Sequence, residues 1–330
     1  MYNLYQSQLR KDIQHKIYHK PIFTVELFGK QYFWTIKVKK IGPRTLQRYQ
    51  VMGVELPSDK EYVRSEIAKL KKHFRKKWIF FQIWCINEII NFENATHRLE
   101  EFKDDMRDMR LALQDFLCSS YGFQVAFREN MPNSDIVVEV SKPDEELMAE
   151  MNASARQRIR KAMKSDIQFT TATPDQYKLF YDKRLETSGH KWFNIIPYEE
   201  FERLASYITE NWCGNVFIAG KDNEIYSGNI CIYDGKYIIY IYGFTDRAYG
   251  KLWSHHYLIY RMFSRARNNN FLYYDFMGGA PTGFPKHALV SVSEFKESLG
   301  GSKSEQYGSY DIVLNKFLYR VFKIWYKVRG

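Results

Sequence analysis

The chain has 330 residues, 45% hydrophobic and 17% aromatic, with a formal net charge of +11. At roughly 150 residues per domain that length predicts two domains, and the charge points to an anionic partner: nucleic acid, a phosphorylated substrate or acidic lipid. No apolar run reaches the roughly 18 residues of a membrane span, the first residues lack the apolar centre of a secretory signal, and the cysteines form no CxxC pair, so they read as reduced thiols of a cytoplasmic protein.

Tyr5-Gln6-Ser7 opens a short amphipathic segment that reaches about Lys16 and is closed by Pro21. From Pro21 to Lys40 the sequence alternates as a hairpin does, with Ile22, Val25 and Leu27 before the turn at Gly29-Lys30-Gln31 and Phe33, Trp34, Ile36 and Val38 after it. Ser58-Asp59-Lys60-Glu61 reads as a helix start with Ser58 as the cap. That helix runs through Val63, Ile67 and Leu70 into a basic run over 69–77. Such a run suits a helix C-terminus and equally a phosphate contact. A strand at Trp78–Ile83, a helix at Glu100–Ser119 and a strand at Asp135–Val140 complete the first half.

A helix begins after Pro143, and a second covers Asn152–Lys164, where Arg156 and Arg160 stand four apart on one face with Lys164 a turn further. Helices over Thr171–Leu185 and Tyr198–Asn211 flank the polar-aromatic loop Ser188–Phe193, which carries Lys191. Three strands follow, at Val216–Ala219, Ser227–Tyr233 and Tyr237–Tyr242, joined by turns at Asp222-Asn223 and Asp234-Gly235. A long helix, Leu252–Asn268, leads to the apolar strand Phe271–Phe276. Helices, three antiparallel strands and then strand-helix-strand resemble the layout of a GNAT-type acyltransferase domain. At the C-terminus a strand, Tyr310–Leu314, precedes Lys316, Arg320, Lys323 and Lys327, which repeat beside Phe317, Val321, Ile324 and Val328. This is a basic amphipathic helix, packed on the first domain or laid on an anionic membrane surface.

The chemistry-bearing stretch is 271–301. The strand ends in Tyr274-Asp275-Phe276-Met277-Gly278-Gly279, where the glycine pair permits a tight turn or close approach to a ligand. A loop with Pro281, Gly283 and Pro285 leads to Phe295-Lys296-Glu297-Ser298-Leu299-Gly300-Gly301. Together these resemble the paired motifs of the FemABX family, the aminoacyl-tRNA-dependent transferases that build peptidoglycan cross-bridges. Met277 is an insertion-like departure in the first motif. Arg156-Gln157-Arg158-Ile159-Arg160-Lys161-Ala162 resembles a further signature of that family. The Asp-Pro that some relatives carry after the first domain's central strand is absent from Phe81–Asn87, which leaves the acceptor open.

The resemblance implies an α+β fold of two GNAT-like domains with mixed, mainly antiparallel sheets: residues 1–138 plus 306–330 on the acceptor side, and 139–305 on the donor side. It implies an enzyme that moves an amino acid from aminoacyl-tRNA to the amine of a UDP-linked or lipid-linked muropeptide, in the cytoplasm or at the inner face of the membrane. Lys296 and Tyr242 are its candidate catalytic residues. Phe295, Tyr240, Lys191, Gly278 and Gly279 are candidates for substrate binding, and Arg156, Arg158, Arg160 and Lys161 for tRNA phosphates. No cofactor or metal is called for. There is no GxxxxGK[ST], HExxH or GxSxG, and the adjacent His255 and His256 point in different directions on a helix. Asp246–Leu252, where a GNAT protein cradles coenzyme A, has one glycine. Two alternatives stay open: an acyl-CoA-dependent N-acyltransferase on the same fold, or a non-catalytic tRNA- or membrane-binding protein.

Overall fold

The computed structural model describes residues 6–41, 44–74, 80–88, 105–127, 133–189, 195–222 and 224–329. The chain forms two compact units, one of residues 1–134, 278–290 and 304–330, the other of 135–277 and 291–303.

The first unit is built on a sheet of order β1-β2-β3-β4-β12. Its strands are β1 (Ile22–Leu27), β2 (Lys30–Ile41), β3 (Arg44–Val54), β4 (Phe80–Glu88) and β12 (Ser302–Val313), with β5 (Gln124–Val125) beside β12. All pairings are antiparallel except β3 with β4. Parallel neighbours need a crossover, and helix α2 (Lys60–Phe74) supplies it. The sequence patterning misses β3, because Arg44-Thr45-Leu46-Gln47-Arg48 is too polar to signal a strand. Helix α1 (Gln8–Asp12), capped by Ser7, runs on through one π turn. The Gln6 side chain ties it to the sheet by accepting from Phe33 N–H at 2.8 Å and donating to the Met52 carbonyl. The α2 cap is Asp59, not Ser58: its carboxylate accepts from Tyr62 N–H at 2.9 Å, and a carboxylate is the stronger partner for a helix N-terminus.

Helix α3 (Met106–Tyr121) is capped by Asp105 and stopped by Gly122 in the left-handed region, φ 64°. Val63, Ile67 and Leu70 of α2 and Met109, Leu113 and Leu117 of α3 share one core with Val51, Ile83, Tyr310 and Ile312. The C-terminal helix α10 (Lys316–Arg329) buries Tyr319 and Phe322 against Phe80 in a second cluster. The segment 278–290, expected with the second domain, groups with the first. Gly279 N–H donates to Ser134 O at 2.7 Å, and Thr282 gives both its N–H and its hydroxyl to Glu305.

The second unit has the order β6-β11-β10-β9-β8-β7, with β6 (Ser134–Glu139), β7 (Gln168–Thr171), β8 (Gly214–Lys221), β9 (Glu224–Asp234), β10 (Tyr237–Thr245) and β11 (Tyr273–Gly278). β7 to β10 form an antiparallel meander, and β10 and β11 are parallel across the crossover helix α8 (Ser254–Asn268). Helices α4 (Asp144–Glu150), α5 (Ala153–Met163) and α8 pack their apolar stripes on one sheet face, around Ile159, Phe217, Cys231, Ile259 and Phe276. Phe180 of helix α6 (Tyr177–Gly189) meets Phe201 of helix α7 (Tyr198–Glu210) and Phe244 of β10 on the other. The short helix α9 (Val290–Ser298) carries the Phe-Lys motif. All four cysteines are free thiols. The fold is thus α+β, with two mixed and mainly antiparallel sheets.

Candidate active site

β10 and β11 pair only from Tyr237↔Tyr273 to Ile239↔Asp275. Beyond that point β10 bulges and pairs with β9 alone: Tyr240 opposes Cys231, Tyr242 opposes Ile230, and Ile241 is the extra residue. Cys231 and Ile230 are neighbours and point to opposite faces. The bulge therefore separates the two candidate tyrosines that plain alternation places together. Tyr240 stays on the face of Phe276. A Cβ at Gly243 would sit 2.2 Å from its phenol oxygen, so only glycine leaves it room. Burial pushes the Tyr240 phenol above its ordinary range. Tyr242 turns to the other face, where the buried Arg184 places its guanidinium carbon 4.2 Å from the ring centroid.

The end of β11 is shaped by Met277. Its φ of 58° lies in the left-handed region, unusual for a long side chain, and its N–H donates to Asp275 Oδ1 at 2.6 Å. The turn expected of Gly278 and Gly279 is made here; neither glycine has a positive φ. The glycines that the geometry does require are in the second motif. Gly300 ends α9 at φ 88°. A Cβ on Gly301 would lie 2.4 Å from Ile136 and 2.9 Å from the Lys296 carbonyl.

Lys296 is 7% exposed. Its ammonium donates to the carbonyls of Phe276, at 2.8 Å, and Met277, at 3.2 Å, and so sits under the end of β11. Burial lowers its pKa to about 8, with the charges of Asp275 and Asp135 opposing the shift. Burial and the neighbouring Asp135 push Asp275 up from the carboxylate range, against the Met277 N–H and Lys296. The site thus holds one cation and two carboxyl groups away from water, a medium in which a fixed charge acts strongly.

Phe295, next in the chain, lies between two histidines: ring centroids are 5.4 Å from His255 and 5.2 Å from His256. His256 is buried, and its pKa falls to about 4 through burial and the charge of Arg158. Its neutral Nε2 accepts from Arg158 Nη1 at 3.3 Å, because a guanidinium can only donate. Arg158 also stacks on Trp253, 4.5 Å from the centroid. Nothing in the sequence pairs these histidines with a phenylalanine forty residues on, so sequence reasoning misses them, together with Trp253, Arg184 and Asp135.

The four basic candidates on α5 divide. Arg156 donates to the Met151 carbonyl at 2.5 Å and to those of Met148 and Ala149, closing the end of α4. Arg158 is held by Trp253 and His256. Arg160 and Lys161 are exposed. Lys191 lies outside the described residues. Among the described residues no three His, Cys, Asp or Glu side chains gather as metal ligands, and no helix is long and apolar enough to cross a membrane.

With this geometry in hand, the chain compares as follows with known proteins. The crystal structure of FemX superposes with a TM-score of 0.70 over 97% of this chain and 94% of that one, at 16% identity. The chain has the FemX fold. A family model described as an acetyltransferase (GNAT) domain matches residues 149–287 of this chain. The C-terminal domain of a putative lysylphosphatidylglycerol synthetase from Agrobacterium fabrum matches with a TM-score of 0.52, at 10% identity, over 92% of each chain. In sequence, the lipid II:glycine glycyltransferase of Staphylococcus haemolyticus (strain JCSC1435) is 30% identical over 107 residues. That match spans 32% of this chain and 26% of the relative.

Proposed function

We propose that the protein is an aminoacyltransferase that moves an amino acid from aminoacyl-tRNA to the amine of a peptidoglycan precursor's stem peptide. The observation that carries this reading is Lys296, a buried cation fixed by two carbonyls at the end of β11 beside Phe295. The paired motifs, the FemX fold and the glycyltransferase-like segment support it.

The donor ester is already activated. The acceptor nitrogen attacks its carbonyl, the new N–C bond forms, and negative charge gathers on the carbonyl oxygen. The ester C–O bond then breaks, and the proton lost by the amine ends on the ribose hydroxyl. The residues here have two tasks: to align the partners and to stabilise the oxyanion. Lys296 takes the second, helped by a buried setting in which its charge is little screened. Phe295, fixed by His255 and His256, shapes the wall beside it. Tyr242, on the other sheet face, is a second contact and no longer a partner of Tyr240. Arg160 and Lys161 are the candidate contacts for tRNA phosphates, while Arg156 and Arg158 hold the protein itself.

The test is to incubate the protein with mixed charged tRNAs and UDP-linked or lipid-linked muropeptide. A mass increase of one amino-acid residue on the acceptor is expected; its absence from every combination sinks the reading. The GNAT domain match favours acyl-CoA as an alternative donor. Against it, the Asp246 carboxylate, paired with Lys183 at 2.7 Å, caps the 247–252 turn by accepting from Ala248 N–H at 2.9 Å, and so already takes an N–H that an entering diphosphate would need. A thermal shift with coenzyme A would restore the alternative.

A further inference from the structure

We propose that the outward face of the C-terminal helix α10 is a docking surface for an anionic lipid bilayer. The helix packs inward through Tyr319 and Phe322, with Phe80, Phe127 and Tyr326 about them. At about 100° per residue, Phe317, Val321 and Ile324 share one stripe nearly opposite that packing face. The stripe is open to solvent: Phe317 is 71% exposed, Ile324 65% and Val321 38%. Along one border stand Lys316, Arg320, Lys323 and Lys327, and the stretch 316–329 contains no Asp or Glu. The basic border extends past the helix. Lys71, near the end of α2, lies close enough to Lys316 for that charge to add to the effect of burial in lowering its pKa.

The combination selects the occupant. A nucleic acid or an acidic peptide offers charge, but leaves Phe317 and Ile324 in water. A second copy of the chain covers the apolar stripe, but sets one row of four cations beside another. An anionic bilayer satisfies both features: the boundary of headgroups and acyl chains takes the aromatic and aliphatic side chains, and the long basic side chains reach the phosphates. One helix of this kind gives reversible attachment that needs both signals. The proposal concerns where the protein sits, and it stands or falls independently of the reaction assigned above.

The experiment is co-sedimentation of the full chain with vesicles of mixed phosphatidylglycerol and phosphatidylcholine, and with phosphatidylcholine alone, at low and high salt. Binding to the anionic vesicles is expected at low salt, at least about tenfold weaker on neutral vesicles, and weakened by salt. The double variant F317S/I324S should lose at least about tenfold, and each of Arg320→Gln and Lys323→Gln about fivefold. Phe317, Ile324 and Arg320 are exposed, and Lys323 meets the core only through its ammonium, 5.4 Å from the Tyr319 ring centroid, so melting temperatures should stay within a few degrees and separate lost docking from lost folding. Three outcomes overturn the proposal. Equal binding to neutral and anionic vesicles, or none to either, removes it. Undiminished binding of F317S/I324S reduces the effect to bulk charge. A dimer that the same variant dissociates, or tRNA binding that it abolishes, assigns the face to another occupant.

Discussion

Arg110 in the first unit and Lys296 in the second are both buried cations, and the two are handled differently. In the first, Arg110 of α3 donates to Glu305 Oε2 at 2.5 Å and to the carbonyls of Gln306 and Asn133. The other oxygen of Glu305 accepts from Thr282. A guanidinium stays charged at any biological pH, and its fork is matched by carboxylate and carbonyls, so this is a permanent tie across α3, β12 and the 278–290 segment. In the second unit, Lys296 is fixed by carbonyls at a strand end, with carboxyl groups near enough to shift its pKa but burial dominating. The first arrangement holds structure. The second keeps a charge poised near the pH at which it is lost, which is a property of reacting sites more than of struts.

The sharpest way to break this comparison is to remove each cation. Arg110→Met leaves Glu305 buried without its counterion and should cost about 3–5 kcal/mol of stability, read by urea unfolding. Arg110→Met combined with Glu305→Leu should recover most of that. A loss under about 1 kcal/mol for the single variant would mean the pair is not a tie. Lys296→Met should instead lower turnover by about 100- to 1000-fold, roughly 3–4 kcal/mol. Donor and acceptor affinities should stay within a few-fold, because the charge it is proposed to stabilise exists only in the transition state. Lys296→Arg should rescue poorly. Equal losses in binding and turnover would make Lys296 a ground-state contact.

The lysine also predicts a pH response. The cation is present below its pKa, so turnover should fall as pH rises through about 8, and the fall should vanish in the residual activity of Lys296→Met. The stability term has the opposite sense. The folded-state pKa lies below the ordinary lysine value of 10.5, so the unfolded chain binds more protons between those values. Wild-type stability should therefore rise relative to Lys296→Met from pH 8 to pH 10.5. A flat difference in pH-dependent unfolding would contradict the assignment. The smallest effects concern the basic residues of α5. Arg160→Ala and Lys161→Ala should each weaken all tRNAs alike and reduce the salt slope by about 0.7–0.9. Arg156→Ala should cost about 1–2 kcal/mol of stability through the α4 carbonyls with tRNA affinity unchanged.

The second unit is the more legible of the two in sequence. Its strands at 214–221, 224–234 and 237–245 are marked by apolar runs and by Asx or Gly turns, and its paired motifs are local. What escaped has a common cause, in that it depends on partners distant in the chain. The polar β3 is a strand because β2 and β4 flank it. The bulge at Ile241 parts Tyr240 from Tyr242 through the register with β9. Met277, an apparent blemish in the motif, takes the left-handed turn assigned to its glycines because Asp275 can hold its N–H. The 278–290 segment joins the first unit because Glu305, twenty-three residues beyond Thr282, receives it. Basic residues four apart were equally ambiguous: Arg156 and Arg160 share a spacing, but only Arg156 has the carbonyls at the end of α4 within reach.

The depth of Lys296 has a practical consequence for kinetics. Mobile ions screen exposed charges but hardly reach a side chain that water scarcely touches. Ionic strength should therefore weaken the surface encounter proposed for Arg160 and Lys161 while leaving the step proposed for Lys296 almost unaltered. In single-turnover measurements at saturating donor, added salt becomes a means of dissociating docking from bond formation, and it does so without changing a single residue.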